Sequence, residues 1–223
     1  MKKLLVTTLA LLLATPLLTH AAGMAGRIND ATSIMEKRQG SANPIPAEIL
    51  NNAKGIAICT ITKAGIGIGG QGGEGIVMVK HMGPTGTVWR APSAFNISGG
   101  SIGAQLGFST IRYIIVLNTD QAIHQFVGTG KLKLDATAAG TAGEDTASEG
   151  ESTRDLEKHE VLVYRDSGGL FGGATIGGST VEVKNAINQA AYGPNVYIRD
   201  ILEGRVQLPA NSERLYTLLD GKR

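Results

Sequence analysis

In Lys63-Ala64-Gly65-Ile66-Gly67-Ile68-Gly69-Gly70, glycine takes every second place, so one face of an extended strand is bare backbone and the other is isoleucine. Gly72, Gly73 and Gly75 continue the run. Glycine inside a strand costs stability, and it marks a bulge, a ligand, or another backbone approaching closely. Close packing or bending is the plainer reading. Gly172-Gly173 and Gly177-Gly178 repeat the device later in the chain.

The surrounding sequence is β throughout. Strand signals fall at 56–62, 64–69, 75–81, 87–90, 95–98, 101–107 and 112–118. Gly83-Pro84-Thr85-Gly86 is a hairpin-type turn between two of them. Further strands are expected at 131–134, 161–164 and 170–183. Helices are expected at 27–38, from Pro46 to a closing Gly55, at 119–127 with Thr119 or Asp120 as cap, and at 184–191, 196–203 and 210–219. Gly221 stands where a helix-closing glycine belongs. The stretch 135–152 is Ala, Thr, Gly and acid with little to pack, and reads as a surface loop. Helices do not alternate with strands, so a parallel βαβ sheet is excluded. The expected fold is α+β: a glycine-rich antiparallel sheet, barrel-like or sandwiched, with helices at both ends.

Residues 1–22 carry Lys2 and Lys3, an apolar run over 4–13, Pro16 and then small residues, which is the order of an export signal. The expectation is cleavage, a single domain over 27–223, and a periplasmic or secreted product. The chain has 21 Lys and Arg against 19 Asp and Glu; loss of Lys2 and Lys3 leaves them balanced. Balance removes the long-range pull toward nucleic acid, so no nucleic-acid partner is expected, and any anion site must be a local patch. Cys59 is the single cysteine, within the apolar run Ile56-Ala57-Ile58-Cys59-Thr60-Ile61. It reads as a core thiol.

Catalytic patterns fail one by one. Gly67-Ile68-Gly69-Gly70-Gln71-Gly72 matches the dinucleotide fingerprint, but Gly75-Ile76-Val77-Met78-Val79 follows it as strand, where a phosphate-binding helix would be needed. No nucleophile elbow is present. His81, His124 and His159 lack the paired spacing of metal ligands. The acids from Glu144 to Glu160 lack a calcium-loop order. No cofactor, metal or enzymatic activity is expected. Basic residues remain: Lys37 and Arg38 at the end of the first helix, Lys54, Lys63 and Arg90. Converging at one rim, they would make a phosphate site. The first helix has an apolar stripe of Ile28, Ala31, Ile34 and Met35 that suits either a membrane surface or packing on the sheet.

Ordered segments along the chain resemble the SYLF domain family. They include Ala53-Lys54-Gly55-Ile56-Ala57-Ile58, Lys63-Ala64-Gly65 through Gly75-Ile76-Val77, Trp89-Arg90-Ala91-Pro92-Ser93-Ala94, Gly169-Leu170-Phe171-Gly172-Gly173 and Leu215-Tyr216. The resemblance implies a non-enzymatic lipid-binding module, with phosphoinositides as ligands and actin bundling in some eukaryotic members. It makes Lys54 and Lys63 the leading headgroup residues, beside the glycine run Gly65, Gly67, Gly69, Gly70, Gly72, Gly73 and Gly75, and makes the first helix the bilayer contact. Three positions depart from the pattern. Gln71 and Glu144 replace arginines, and Gly168 replaces a lysine. On those lost charges, actin is not expected as a partner; a peripheral phospholipid surface with an anionic headgroup is. The alternative is a self-associating structural protein of the cell envelope, and the sequence specifies no oligomeric state.

Overall fold

The computed structural model describes residues 23–83, 86–128, 132–134, 159–165, 170–172 and 179–221. Its centre is a single long ribbon. β1 (Gly55–Gly83) and β3 (Ser93–Leu117) pair antiparallel from Gly55 opposite Leu117 to Ile66 opposite Leu106. After a register shift they pair again from Ile68 opposite Ile102 to Val77 opposite Ser93. β2 (Gly86–Trp89) closes the hairpin against the end of β1, with Gly83 opposite Gly86. The short strands expected from sequence therefore merge into two long ones. Glycine keeps its N–H and C=O for the ladder, and proline, the residue that would break it, is missing from both strands.

The ribbon folds back on itself. A Cβ at Gly75 would collide with the Ile58 carbonyl oxygen and lie 2.9 Å from Cys59 Cα; one at Gly73 would meet the Thr60 carbonyl oxygen and lie 3.0 Å from Ile61 Cα. The two halves of β1 thus lie backbone against backbone at positions two apart, where a pleated strand turns the same face. Here the glycines serve close packing. Gly70 and Gly72 are looser, with the nearest atom 4.0 Å away in each case.

Four shorter strands extend the sheet. β5 (Val161–Arg165) pairs with the C-terminal part of β3, and β6 (Leu170–Gly172) with β5. β7 (Ser179–Val183) pairs with the N-terminal part of β3, and β4 (Leu132–Leu134) with β7. The result is an antiparallel seven-stranded sheet, not closed into a barrel. With helices at both ends, the class is α+β as expected.

Away from the bend both faces of the ribbon are buried, at 56–59, 76–79 and 113–117, and there its strands read as apolar runs. Ile56, Ile58, Ile76, Met78, Ile114 and Val116 pack beneath α1 (Met24–Gln39), α2 (Ala47–Asn52) and α6 (Glu213–Leu219). Ala57, Cys59, Val77, Phe95, Tyr113 and Ile115 point the other way, with Phe126 of α3 (Asp120–Val127) edge-on to Phe95. α4 (Asn185–Tyr192), α5 (Ile198–Leu202) and a 3-10 turn (Ala210–Ser212) are the other helices among the described residues.

Element ends differ where a tertiary bond intervenes. α1 begins at Met24, three residues before its expected start. Pro46 is the cap of α2, outside its first turn, and the helix stops at Asn52. Gly55 cannot close it, because the Lys54 N–H already donates to Leu117 O at 2.9 Å and Gly55 opens β1. Thr119 caps α3 as expected, its hydroxyl accepting from the Ala122 N–H at 3.0 Å. Gly221 takes a positive φ of 70° just past α6. The loop expected over 135–152 and residues 1–22 lie outside the described residues.

Candidate functional site

The apolar stripe of α1 is spent on the core: Ile28, Ala31, Ile34 and Met35 are all buried. This corrects the expectation that the first helix meets a bilayer with that face. On the same buried face lies Arg27, its side chain 1% exposed. Its Nη1 donates to the carbonyl oxygens of Gly75 and Phe95, and its Nη2 to Glu74 Oε2 at 2.9 Å and Asn96 Oδ1 at 2.8 Å. Burial pushes the guanidinium pKa down, and the Glu74 carboxylate opposes that. A buried cation persists only when every donor direction is matched. Arg27 staples the helix to the place where the ribbon doubles back. Sequence reading passed over it, although Met24, Arg27, Ile28, Ala31 and Ile34 follow the spacing of one helical face.

Beside this staple runs an open groove of about 630 Å³ between α1 and the ribbon. Asp30 and Ser33 of α1, Thr60, Thr62 and Glu74 of β1, and Asn96 of β3 line it. Phe108 and Arg112 of β3 form its outer rim. Phe108 is 75% exposed, the most exposed large apolar side chain among the described residues. Arg112 stands four residues further along β3, hence on the same face; Lys63 of β1 sits opposite Ser109, on the other face.

The basic residues singled out from sequence do not converge. Lys54 Nζ pairs with Asp120 Oδ2 at 2.7 Å at the start of α3, on the surface. Lys63 is nine residues further along an extended strand, roughly 30 Å away. Arg90 lies against the backbone of Gly204, where a Cβ would meet its Nη1 at 2.7 Å, and its carbonyl accepts from the Tyr216 hydroxyl. Arg38 lies 5.0 Å over the Tyr164 ring and donates to Arg165 O, while Lys37 is exposed on α1. A single phosphate cannot be held by all of them. Of the five, Lys63 lies nearest along the ribbon to the exposed aromatic.

Gly67 to Gly72 lies within β1, so its fingerprint spacing opens no helix. Among the described residues no group of three His, Cys, Asp or Glu side chains is placed to hold a metal. Cys59 is buried, and burial pushes its thiol up to about 12. The thiolate is the reactive form. A disulfide reagent such as dithionitrobenzoate at pH 8 should therefore leave the native thiol untouched and titrate one thiol per chain in denaturant; fast reaction of the native protein would contradict the packing.

Comparison with known proteins overturns two expectations. A family model described as "Ysc84: Las17-binding protein actin regulator" matches residues 98–222. The chain is 34% identical over 210 residues to an SH3 domain-containing YSC84-like protein 1 of Bos taurus, covering 91% of this chain and 59% of that protein. It is 30% identical over 185 residues to Protein YSC84 of Saccharomyces cerevisiae, covering 82% and 39%. It is 31% identical over 185 residues to the yeast LAS seventeen-binding protein 3, covering 82% and 40%. The chain thus spans about two fifths to three fifths of these relatives' length. No solved structure matches.

The exclusion of actin does not stand against a family described as actin regulators. It rested on three missing charges. Gln71 is only 7% exposed within β1, so an arginine's absence there removes no surface charge; Gly168 and Glu144 lie outside the described residues. The expected export fails too. It rested on the pattern of residues 1–22 alone, whereas these relatives are proteins of cattle and yeast, cells with no bacterial envelope. The resemblance read from the motifs is confirmed: the chain belongs to the Ysc84 family, the SYLF domain proteins described as Las17-binding actin regulators.

Proposed function

We propose that the chain is a non-enzymatic binding module that attaches peripherally to anionic phospholipid surfaces through the β1–β3 ribbon where it bends. The observation that carries this reading is Phe108, 75% exposed on a strand whose neighbouring positions bring Lys63 and Arg112 to either side. An aromatic ring suits the interface between headgroups and acyl chains, and each nearby cation adds about 1 kcal/mol of attraction to an anionic surface. The resemblance to lipid-binding SYLF domains points the same way. Lys54, Arg90 and Arg38 are engaged elsewhere in the fold, so they play no part in this attachment.

Vesicle flotation tests it, with phosphatidylserine-containing and pure phosphatidylcholine vesicles in parallel. The protein should float with the anionic vesicles and be released by salt, since exposed charges are screened within about 10 Å at 0.1 M. Lys63→Ala and Arg112→Ala should each weaken retention about fivefold, and Phe108→Ala should weaken it at any salt. Equal absence from both vesicle types rejects the reading.

A second reading rests on the family description: a Las17-type or actin partner bound by this chain. Co-sedimentation with filamentous actin, without lipid, separates it from the first.

A further inference from the structure

We propose that the groove between α1 and the ribbon docks an extended segment of a partner protein, and that it holds an arginine of that segment between the Phe108 ring and the carboxylates of Asp30 and Glu74. The inference goes beyond membrane attachment, because its ligand is a polypeptide and the recognised group is a cation.

The groove continues a sheet face that is buried further back. Residues opposite each other in an antiparallel ladder share a face, so Thr60 stands beside Arg112, Thr62 beside Thr110, and Ala64 beside Phe108. The same face is buried apolar surface at Ile56 and Ile58, beneath α1. Its switch from isoleucine to threonine falls where the helix no longer seals it, and both threonines line the groove half-buried. Phe108 breaks that polar stretch with a ring 75% exposed. A ring so placed adds little to the core, and its π face is open to a ligand in the groove.

The carboxylates give the groove its sign. Glu74 accepts from Arg27 through Oε2 and stays 32% exposed, and a carboxylate that accepts one bond has capacity for others. Asp30 is exposed on the α1 wall, and among the described residues it forms no ion pair. Arg27 cancels Glu74 and is tied to Asn96 and two backbone carbonyls, so Asp30 is left in excess. Arg112 is engaged in a contact of its own, four residues or about 13 Å of extended strand from Phe108. A cation entering beside the ring therefore meets uncompensated negative charge, and an anion meets two carboxylates. Arginine suits this pairing better than lysine, because its planar guanidinium stacks on an aromatic face and bonds a carboxylate through two N–H groups. The hydroxyls of Ser33 and Thr60 are left for the segment's backbone.

Saturation-transfer NMR on the full chain, without lipid, tests this with N-acetylarginine amide, N-acetylcitrulline amide and N-acetylglutamate amide as separate probes. Citrulline keeps the shape of arginine and loses its charge. Transfer to the arginine side-chain protons should exceed transfer to citrulline by about twofold or more, and glutamate should receive none. A pool of blocked heptapeptides with arginine fixed at the centre, read by fluorescence anisotropy, should likewise bind more tightly than the matching citrulline pool. Phe108→Leu removes the ring and keeps an apolar side chain, and Asp30→Asn removes the charge and keeps the shape. Each should weaken arginine binding about two- to fivefold, as loss of an exposed cation–π contact or ion pair implies. Both positions lie outside the core, so the variants should fold as the parent does. Equal response to the arginine and citrulline probes overturns the proposal, as does binding that both variants leave unchanged, or no binding of any probe. Every arm is free of membrane, so vesicle flotation can fail without altering the result.

Discussion

Replacement of Gly75 by valine should prevent stable folding, the largest effect expected of any glycine among the described residues. The side chain would enter space already held by the Ile58 carbonyl and the Cys59 backbone, and neither is the end of a flexible side chain that could move aside. The two halves of β1 would have to part, opening the apolar layer built on Cys59, Val77 and Phe95. Overpacking of a core costs about 1–3 kcal/mol where neighbours can shift; against fixed backbone the loss belongs with the exceptional values above about 4 kcal/mol. Gly100→Ala is the matched control. It lies on the partner strand, and a Cβ there meets nothing within 4 Å. Its stability should stay within about 0.5 kcal/mol of the parent. Urea denaturation followed by circular dichroism reads both. A Gly75→Val protein with a parental midpoint would show that the halves of β1 do not touch.

Arg27→Ala carries the second large effect. It leaves the carbonyls of Gly75 and Phe95, the Asn96 amide oxygen and the Glu74 carboxylate without the cation that satisfies them. Each buried acceptor left without its donor costs about 1–3 kcal/mol, while Glu74, 32% exposed, regains part of its hydration. The double variant Arg27→Met with Glu74→Gln tests the cause. It fills the volume and removes the stranded charge, so it should recover part of the loss. If the double variant is no better than Arg27→Ala, the loss comes from packing alone. Arg214 with Glu36 is the contrasting case: an exposed pair at 2.8 Å, whose removal should cost at most about 1 kcal/mol.

Much of the fold was legible before any coordinates. Local signals are read within a few residues, and they hold at the Thr119 cap, the positive-φ Gly221 and the buried thiol of Cys59, whereas the apolar stripe of α1 left membrane and sheet equally open until packing decided it. Strand limits were misread because a strand ends where its partner ends. Leu117 opposite Gly55 extends β1 over residues whose own pattern is broken by glycine. The site was less legible. Lys54 and Lys63 stood out as isolated cations beside glycines, yet their separation along the ribbon depends on the strand staying straight between them. Arg27 was hidden by its type, since arginine inside a helix is ordinarily solvated.

Taken alone, the sequence determined which residues are extended, which faces are apolar, where glycine must replace a side chain, and the family to which the chain belongs. All of these follow from backbone sterics, from a period of two or 3.6, and from motifs in order. Tertiary structure decided what the bare backbone of Gly73 and Gly75 meets, which cation is buried, and that Phe108 rather than a cluster of lysines marks the outer rim. Periodicity assigns a residue to a face, but only long-range pairing says which other face, tens of residues away, comes to lie against it.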